Sequence, residues 1–195
     1  MEDFIKTFGS IDVLINNAGG ALQIPGGSKG EFKDMPMEYW DSQIALNLNS
    51  AAYLSRYAVA DMIEKKTEGR IVNISSIHGQ VTWVHRRMLP YSAGKGGLNM
   101  FTKALGVEVA KYGIRVNAVA PGLIFTKVIS RYSEKDLQAF AHKIPVGRGG
   151  TVEEIVPMIQ FLADVEKARF IVGQVICVDG GQSSDGSIES MNFDI

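Results

Sequence analysis

Four short runs of apolar, β-rich sequence recur at wide spacing, and together they restrict the possible folds more than any other feature of the chain. They are Ile11–Asn16, Arg70–Ser75, Ile114–Val119 and Gln174–Val178. Between them lie longer segments with helical character: 37–66, Pro90 to Tyr112, 130–143 and Thr151–Ala163. Strands this apolar are covered on both faces, and strands that alternate with helices run parallel. The expected class is α/β, a doubly wound parallel sheet with helices on each side.

Local signals agree. Pro90 stands where a helix favours proline in its first turn. Gly113 stands where a helix ends. Thr151-Val152-Glu153-Glu154 reads as a capping box opening a helix, and Pro157 falls inside that helix. Asn16-Asn17-Ala18-Gly19 follows the first strand, Ser75-Ser76 the second and Pro121-Gly122 the third. Open parallel sheets bind ligands at the carboxyl ends of their strands. The least ordinary residues of this chain therefore converge on one rim.

Composition excludes several classes. The chain has 195 residues with formal net charge −1 and 46 % hydrophobic residues. No basic patch suited to nucleic acid or an anionic membrane stands out. No apolar stretch approaches bilayer length, and Met1-Glu2-Asp3-Phe4 is not read as a signal peptide. The lone Cys177 lies in an apolar strand, so it is read as a buried small hydrophobe in a reducing, cytoplasmic setting. Three histidines, with His142 read as a surface helix residue, make no metal-ligand cluster. The expected partner is a small molecule.

Tyr91 and Lys95 are four apart at a helix start and share one face. Alone the spacing says little, since chance supplies about 0.4 such pairs in a chain of this composition. Position gives it weight, because the pair follows directly on the rim segment that carries Ser75-Ser76. A tyrosine titrates near 10, so making it a base at neutral pH takes about 4 kcal/mol. An ammonium about 4 Å away at an effective dielectric near 20 supplies roughly that. Burial opposes the shift, so a further cation or hydrogen bond is needed.

In order, Asn16-Asn17-Ala18-Gly19, Asn47-Leu48, Ile74-Ser75-Ser76, Tyr91-Ser92-Ala93-Gly94-Lys95, Arg115-Val116-Asn117, Pro121-Gly122 with Thr126, and Val178-Asp179-Gly180-Gly181 resemble the short-chain dehydrogenase/reductase family. The resemblance implies a Rossmann-like fold, a hydride-transfer activity on an alcohol/carbonyl pair, and NAD or NADP as cofactor. It implies a catalytic tetrad of Asn47, Ser76, Tyr91 and Lys95. In that reading Tyr91 exchanges a proton with the substrate oxygen, which Ser76 holds. Lys95 lowers the Tyr91 pKa and binds the nicotinamide ribose, and Asn47 anchors a water that extends the proton path. Ser76 is chosen over Ser75 because the family places the serine second, and strand neighbours point to opposite faces. The oxidised nicotinamide ring is the further cation available to Tyr91. Asn16, Ala18 and Gly19 are expected along the cofactor's ribose side. Pro121, Gly122 and Thr126 are expected beside the nicotinamide. Expected substrates are a sugar, a cyclic alcohol or a 3-oxoacyl thioester.

The sequence departs from the family at its start. It lacks the first strands and the Gly-rich phosphate loop, some two to three βαβ units at roughly 30 residues each. Gly94-Lys95-Gly96-Gly97 is no substitute, because it lies within a helix, where small residues permit close packing. The expectation is a partial domain over 1–182 with a polar tail over 183–195, either a piece of a full enzyme or a short product that keeps the catalytic wall without the adenosine half. For the short product weak cofactor binding, little activity and association through the exposed edge of the Ile11–Asn16 strand are expected. The alternative is a non-catalytic binding protein, or an inactive fragment, of the same fold. The segment between Ser76 and Tyr91, with His78, Trp83, His85, Arg86 and Arg87, is placed over the rim. Residues 130–150 correspond to the family's substrate lid. Helices 47–66 and 91–112 are expected to support a homodimer, and the last strand a homotetramer.

Overall fold

The computed structural model describes residues 2–21, 31–82, 88–126 and 133–184. Its sheet contains β1 (Val13–Asn16), β2 (Arg70–Ile74), β3 (Arg115–Pro121) and β4 (Val175–Val178), hydrogen-bonded in that order. All three pairings are parallel, with Val13 opposite Arg70, Arg70 opposite Arg115, and Ala118 opposite Val175. The helices are α1 (Glu2–Phe8), α2 (Met37–Ile44), α3 (Ser50–Glu64), α4 (Leu89–Val109), α5 (Glu134–Ala141) and α6 (Val152–Ala163).

Strand alternation sends successive residues to opposite faces, and each face has its own core. Ile71 and Val116 pack with Ala58 and Met62 of α3 and Val109 of α4. Val72 and Val119 pack on the other face with Ile155 and Leu162 of α6. Each of the larger side chains stabilises the fold by about 1.5–3 kcal/mol on burial. The expected doubly wound sheet is present. At the β1 end the face that carries Val72 is less covered, with Val13 and Ile15 at 42 % and 46 % exposure.

Several boundaries differ from the sequence reading, each for a local reason. β1 starts at Val13 rather than Ile11, because the Ile11 N–H donates to Asp61 Oδ2 at 2.9 Å. The segment expected as helix over 37–66 is α2 and α3 joined by a π-helical turn, Ala45–Asn49. Such turns insert one residue into a helix and gather at functional positions. α4 gives way to a 3₁₀ turn over Ala110–Tyr112 before Gly113. The helix expected over 130–143 is described as Glu134–Ala141, and His142 lies just past it, exposed. Glu154 accepts the Thr151 backbone N–H at 2.9 Å, as a capping box requires. Cys177 is only half-buried, and its sulfur accepts from Gln80 Nε2 at 3.3 Å.

The small residues of α4 do what the sequence suggests. A Cβ on Gly94 would stand 3.0 Å from Asn47 Cβ, and one on Gly97 2.9 Å from Leu48 Cδ2. α4 therefore lies directly against the π-helical turn, and this contact brings Asn47 close to Lys95. Trp83, His85, Arg86, Arg87 and the tail from 185 lie outside the described residues. No helix among the described residues is long and apolar enough to cross a membrane.

Candidate active site

A cleft of about 560 Å³ opens at the carboxyl ends of the strands, a size typical of small-molecule sites. The loop after β1 forms one wall with Asn17, Gly19, Gly20 and Ala21. The end of β2 brings Ile74 to His78, α4 brings Tyr91 and Lys95, and the segment after β3 brings Pro121 to Ile124 with Thr126. Val152, Ile155, Val156 and Ile159 of α6 make the apolar wall.

Tyr91 and Ser76 share a side-chain hydrogen bond. Ser76 starts a 3₁₀ turn, Ile77–Gly79, and its Oγ accepts the His78 N–H at 3.2 Å. Ser75 turns away to α4, where its hydroxyl bonds Asn99 Oδ1. The two adjacent serines thus have different partners, as strand alternation requires. Lys95 Nζ lies 5.9 Å from the centre of the Tyr91 ring and donates to the Ile74 carbonyl at 2.7 Å. Its side chain is almost wholly buried, and burial lowers its pKa to about 8.

The opposition expected from burial is the largest influence on Tyr91 in this structure. Burial raises the Tyr91 pKa, and the Ser76 hydrogen bond only partly opposes this. The physical reason is that the phenol and the ammonium share one desolvated pocket. There the charged form of each is disfavoured.

Asn47 is buried, and its amide ties the β1 loop to α2. Nδ2 donates to the Gly20 carbonyl at 3.1 Å and to the Gln43 carbonyl at 3.0 Å. Oδ1 accepts the Gly20 N–H at 2.9 Å. This clamp lays Gly19 against Lys95. A Cβ on Gly19 would stand 2.9 Å from Lys95 Nζ and 3.0 Å from Asn47 Oδ1.

The structure gathers Ser76, Tyr91, Lys95, Gly19, Pro121, Gly122 and Thr126 around the cleft. Asn16 and Ala18 do not line it. Asn16 Nδ2 donates to Ser55 Oγ at 3.1 Å and to Asn73 Oδ1 at 2.8 Å, and Asn73 Nδ2 donates to Thr102 Oγ1 at 2.9 Å. That buried ladder joins β1, β2, α3 and α4 beneath the site. Asn17 and Gly20 line the wall instead. Sequence reading missed α6 and Gln182, whose Oε1 accepts the Leu123 N–H at 3.1 Å. The i, i+3, i+4, i+7 spacing of Val152, Ile155, Val156 and Ile159 was the available signal.

A family model described as enoyl-(acyl carrier protein) reductase matches residues 1–183. A solved short-chain dehydrogenase/reductase from Caenorhabditis elegans, crystallised with cofactor, superposes with a TM-score of 0.85 at 32 % identity, covering 98 % of this chain and 72 % of that one. The chain belongs to the short-chain dehydrogenase/reductase family. Within it, the chain is 40 % identical over 183 residues to the 3-oxoacyl-[acyl-carrier-protein] reductase FabG of Buchnera aphidicola subsp. Baizongia pistaciae, covering 92 % of this chain and 69 % of that relative. It also resembles the solved structure of ElxO with NADP bound, with a TM-score of 0.84 at 32 % identity, covering 94 % of this chain and 72 % of that one. The short-chain dehydrogenase/reductases are oxidoreductases, so the match bears on both fold and general chemistry.

Proposed function

We propose that the chain catalyses hydride transfer between NAD or NADP and a small alcohol/carbonyl substrate, with Tyr91 as the acid/base. The carrying observation is the convergence of Tyr91, Ser76 and Lys95 on one cleft wall from two elements. In carbonyl reduction, Tyr91 gives its phenolic proton to the substrate oxygen as the carbon gains hydride. In alcohol oxidation the phenolate takes that proton back. Ser76, already bonded to Tyr91, holds the same oxygen. A raised Tyr91 pKa suits the reductive direction, because the phenol is protonated and ready to donate.

The residues fit the nicotinamide nucleoside half of the cofactor. An ammonium has three donors, and Lys95 Nζ makes one hydrogen bond among the described residues. The close approach of Gly19 leaves a narrow wall beside it, suited to a ribose diol. Pro121, Gly122 and Thr126 would flank the ring. When bound, the nicotinamide supplies or accepts the hydride and its oxidised form adds a positive charge near Tyr91. Asn47 acts by fixing the Gly20 backbone rather than by facing the cleft.

The exposed residues Tyr53 and Tyr57 on α3 and Met100 and Val107 on α4 support assembly into a homodimer or homotetramer. Tyr91→Phe tests the central reading. NAD(P)(H)-dependent turnover of a carbonyl panel should fall by about 10²–10⁴-fold with the thermal melt unchanged. Equal turnover in both proteins overturns Tyr91 as the acid/base, and no turnover in the unmodified chain favours a non-catalytic binding protein.

A further inference from the structure

Three polar side chains of α4 grip the end of β2. Thr102 Oγ1 accepts from Asn73 Nδ2 at 2.9 Å, Asn99 Oδ1 accepts from the Ser75 hydroxyl, and Lys95 Nζ donates to the Ile74 carbonyl at 2.7 Å. Residues four and three apart are neighbours on one helical face. Thr102 belongs to the ladder beneath the site, and Lys95 faces the cleft. Asn99 stands between them, 7 % exposed, and does not line the cleft.

Asn99 makes a second bond on the far side of Ser76. Its Nδ2 donates to the Gly79 carbonyl at 3.2 Å. A Cβ on Gly79 would stand 2.7 Å from Asn99 Nδ2 and 2.8 Å from the Lys95 carbonyl oxygen, so this turn lies directly on α4. Between the two anchors the chain is bonded to itself. The Gly79 N–H donates to the Ser76 carbonyl at 2.9 Å, and Ser76 Oγ accepts the His78 N–H at 3.2 Å. One amide thus holds a hydroxyl that donates and a carbonyl that accepts. A side chain with both functions can do this, and an apolar one of the same shape cannot.

We propose that Asn99 is a positioning residue, which sets the Ser76 hydroxyl against Tyr91 by holding Ser75 and Gly79 on either side. Its effect on turnover rests on the reading of Tyr91 as the acid/base, and the placement of Ser76 does not. Ser76 has extended backbone where the strand end meets the 3₁₀ turn. Fixing both sides of that junction restricts where its hydroxyl can stand. Leucine at position 99 would fill a similar volume and release both anchors.

The ultraviolet phenolate signal of Tyr91, identified by its loss in Tyr91→Phe, tests this in the ligand-free protein. The Ser76 hydrogen bond lowers the Tyr91 pKa, so Ser76→Ala should move the transition up. Asn99→Leu should move it up by the same amount, and the double variant no further, because both substitutions remove one bond. Ser75→Ala, which breaks one of the two anchors, should move it the same way by less. A transition that Asn99→Leu or Ser76→Ala leaves in place overturns the assignment, as do shifts that add in the double variant. Where Asn99→Leu does not fold, a transition that Ser75→Ala leaves in place overturns it.

Turnover separates this from the acid/base reading. With a carbonyl substrate that the unmodified chain reduces, Asn99→Leu should lower kcat by about 10–10²-fold and leave KM nearly unchanged. A raised KM at unchanged kcat overturns the positioning role. An unmodified chain without turnover ends the acid/base reading, and the Tyr91 titration still decides the role of Asn99.

Discussion

Two cations are buried at opposite ends of the sheet, and their surroundings differ. Arg70, at the amino end of β2, is 1 % exposed, and Lys95, at the carboxyl rim, is 3 % exposed. Arg70 spends its guanidinium on backbone carbonyls. Nη1 donates to Glu68, Gly69 and Gly113 at 3.0, 2.9 and 3.3 Å, and Nη2 to Val165 at 2.6 Å. Lys95 makes one hydrogen bond among the described residues, to Ile74. Burial lowers the pKa of both. The more heavily bonded cation joins the sheet's base to the α6–β4 connection through Nη1 and Nη2. The undersatisfied one keeps donor capacity facing a cleft, which is what a ligand-binding cation requires.

Replacing each cation in turn should separate the two roles. Lys95→Met should abolish most turnover, by about 10²-fold or more, since it removes the contact proposed for the cofactor ribose and the charge near Tyr91. The same variant should be more stable. Lowering the lysine pKa from 10.5 to about 8 corresponds to roughly 3 kcal/mol, offset by about 1 kcal/mol for the lost bond to Ile74. A gain of about 2 kcal/mol at pH 7 is expected in denaturant melts. The sign follows from proton binding. Below pH 8 the lysine is charged in both states and the full cost is present. Between 8 and 10.5 the unfolded chain binds more protons, so the unmodified protein gains stability as pH rises. The gap between the two proteins should therefore close across that window, and a gap independent of pH would place the ammonium in water.

Arg70→Met should act in the opposite sense. It removes the hydrogen bonds that Arg70 donates to four backbone carbonyls, for a loss of about 3 kcal/mol. Turnover per folded molecule should stay the same. A turnover loss larger than the folded fraction accounts for would mean that the base of the sheet communicates with the rim.

The smallest effect concerns Tyr91 alone. In the ligand-free protein its phenol should ionise above 10.0, because burial raises its pKa. The ultraviolet phenolate signal that disappears in Tyr91→Phe reports this, and added NAD⁺ should move it down. A ligand-free transition below 10.0 would restore the role first expected of Lys95.

Much of this protein was legible in its sequence, because the relevant signals are local. Four apolar runs and their turn residues specify a parallel sheet with its unusual residues on one rim. The capping residues of α6 and the small residues of α4 act within a turn or two of chain. The order of motifs from Asn16 to Gly181 marked the family and named Ser76, Tyr91 and Lys95. What required the tertiary structure depends on groups far apart in sequence. Asn16 meets Asn73 only through strand register, so its place in a buried ladder was not visible. The α6 face was periodic in sequence, but only packing shows which residues it turns toward the cleft. The pKa directions of Tyr91 and Lys95 follow burial rather than spacing, because a shared pocket removes water from both groups. Spacing along a helix states that two side chains are neighbours, and the surrounding dielectric decides what each does to the other.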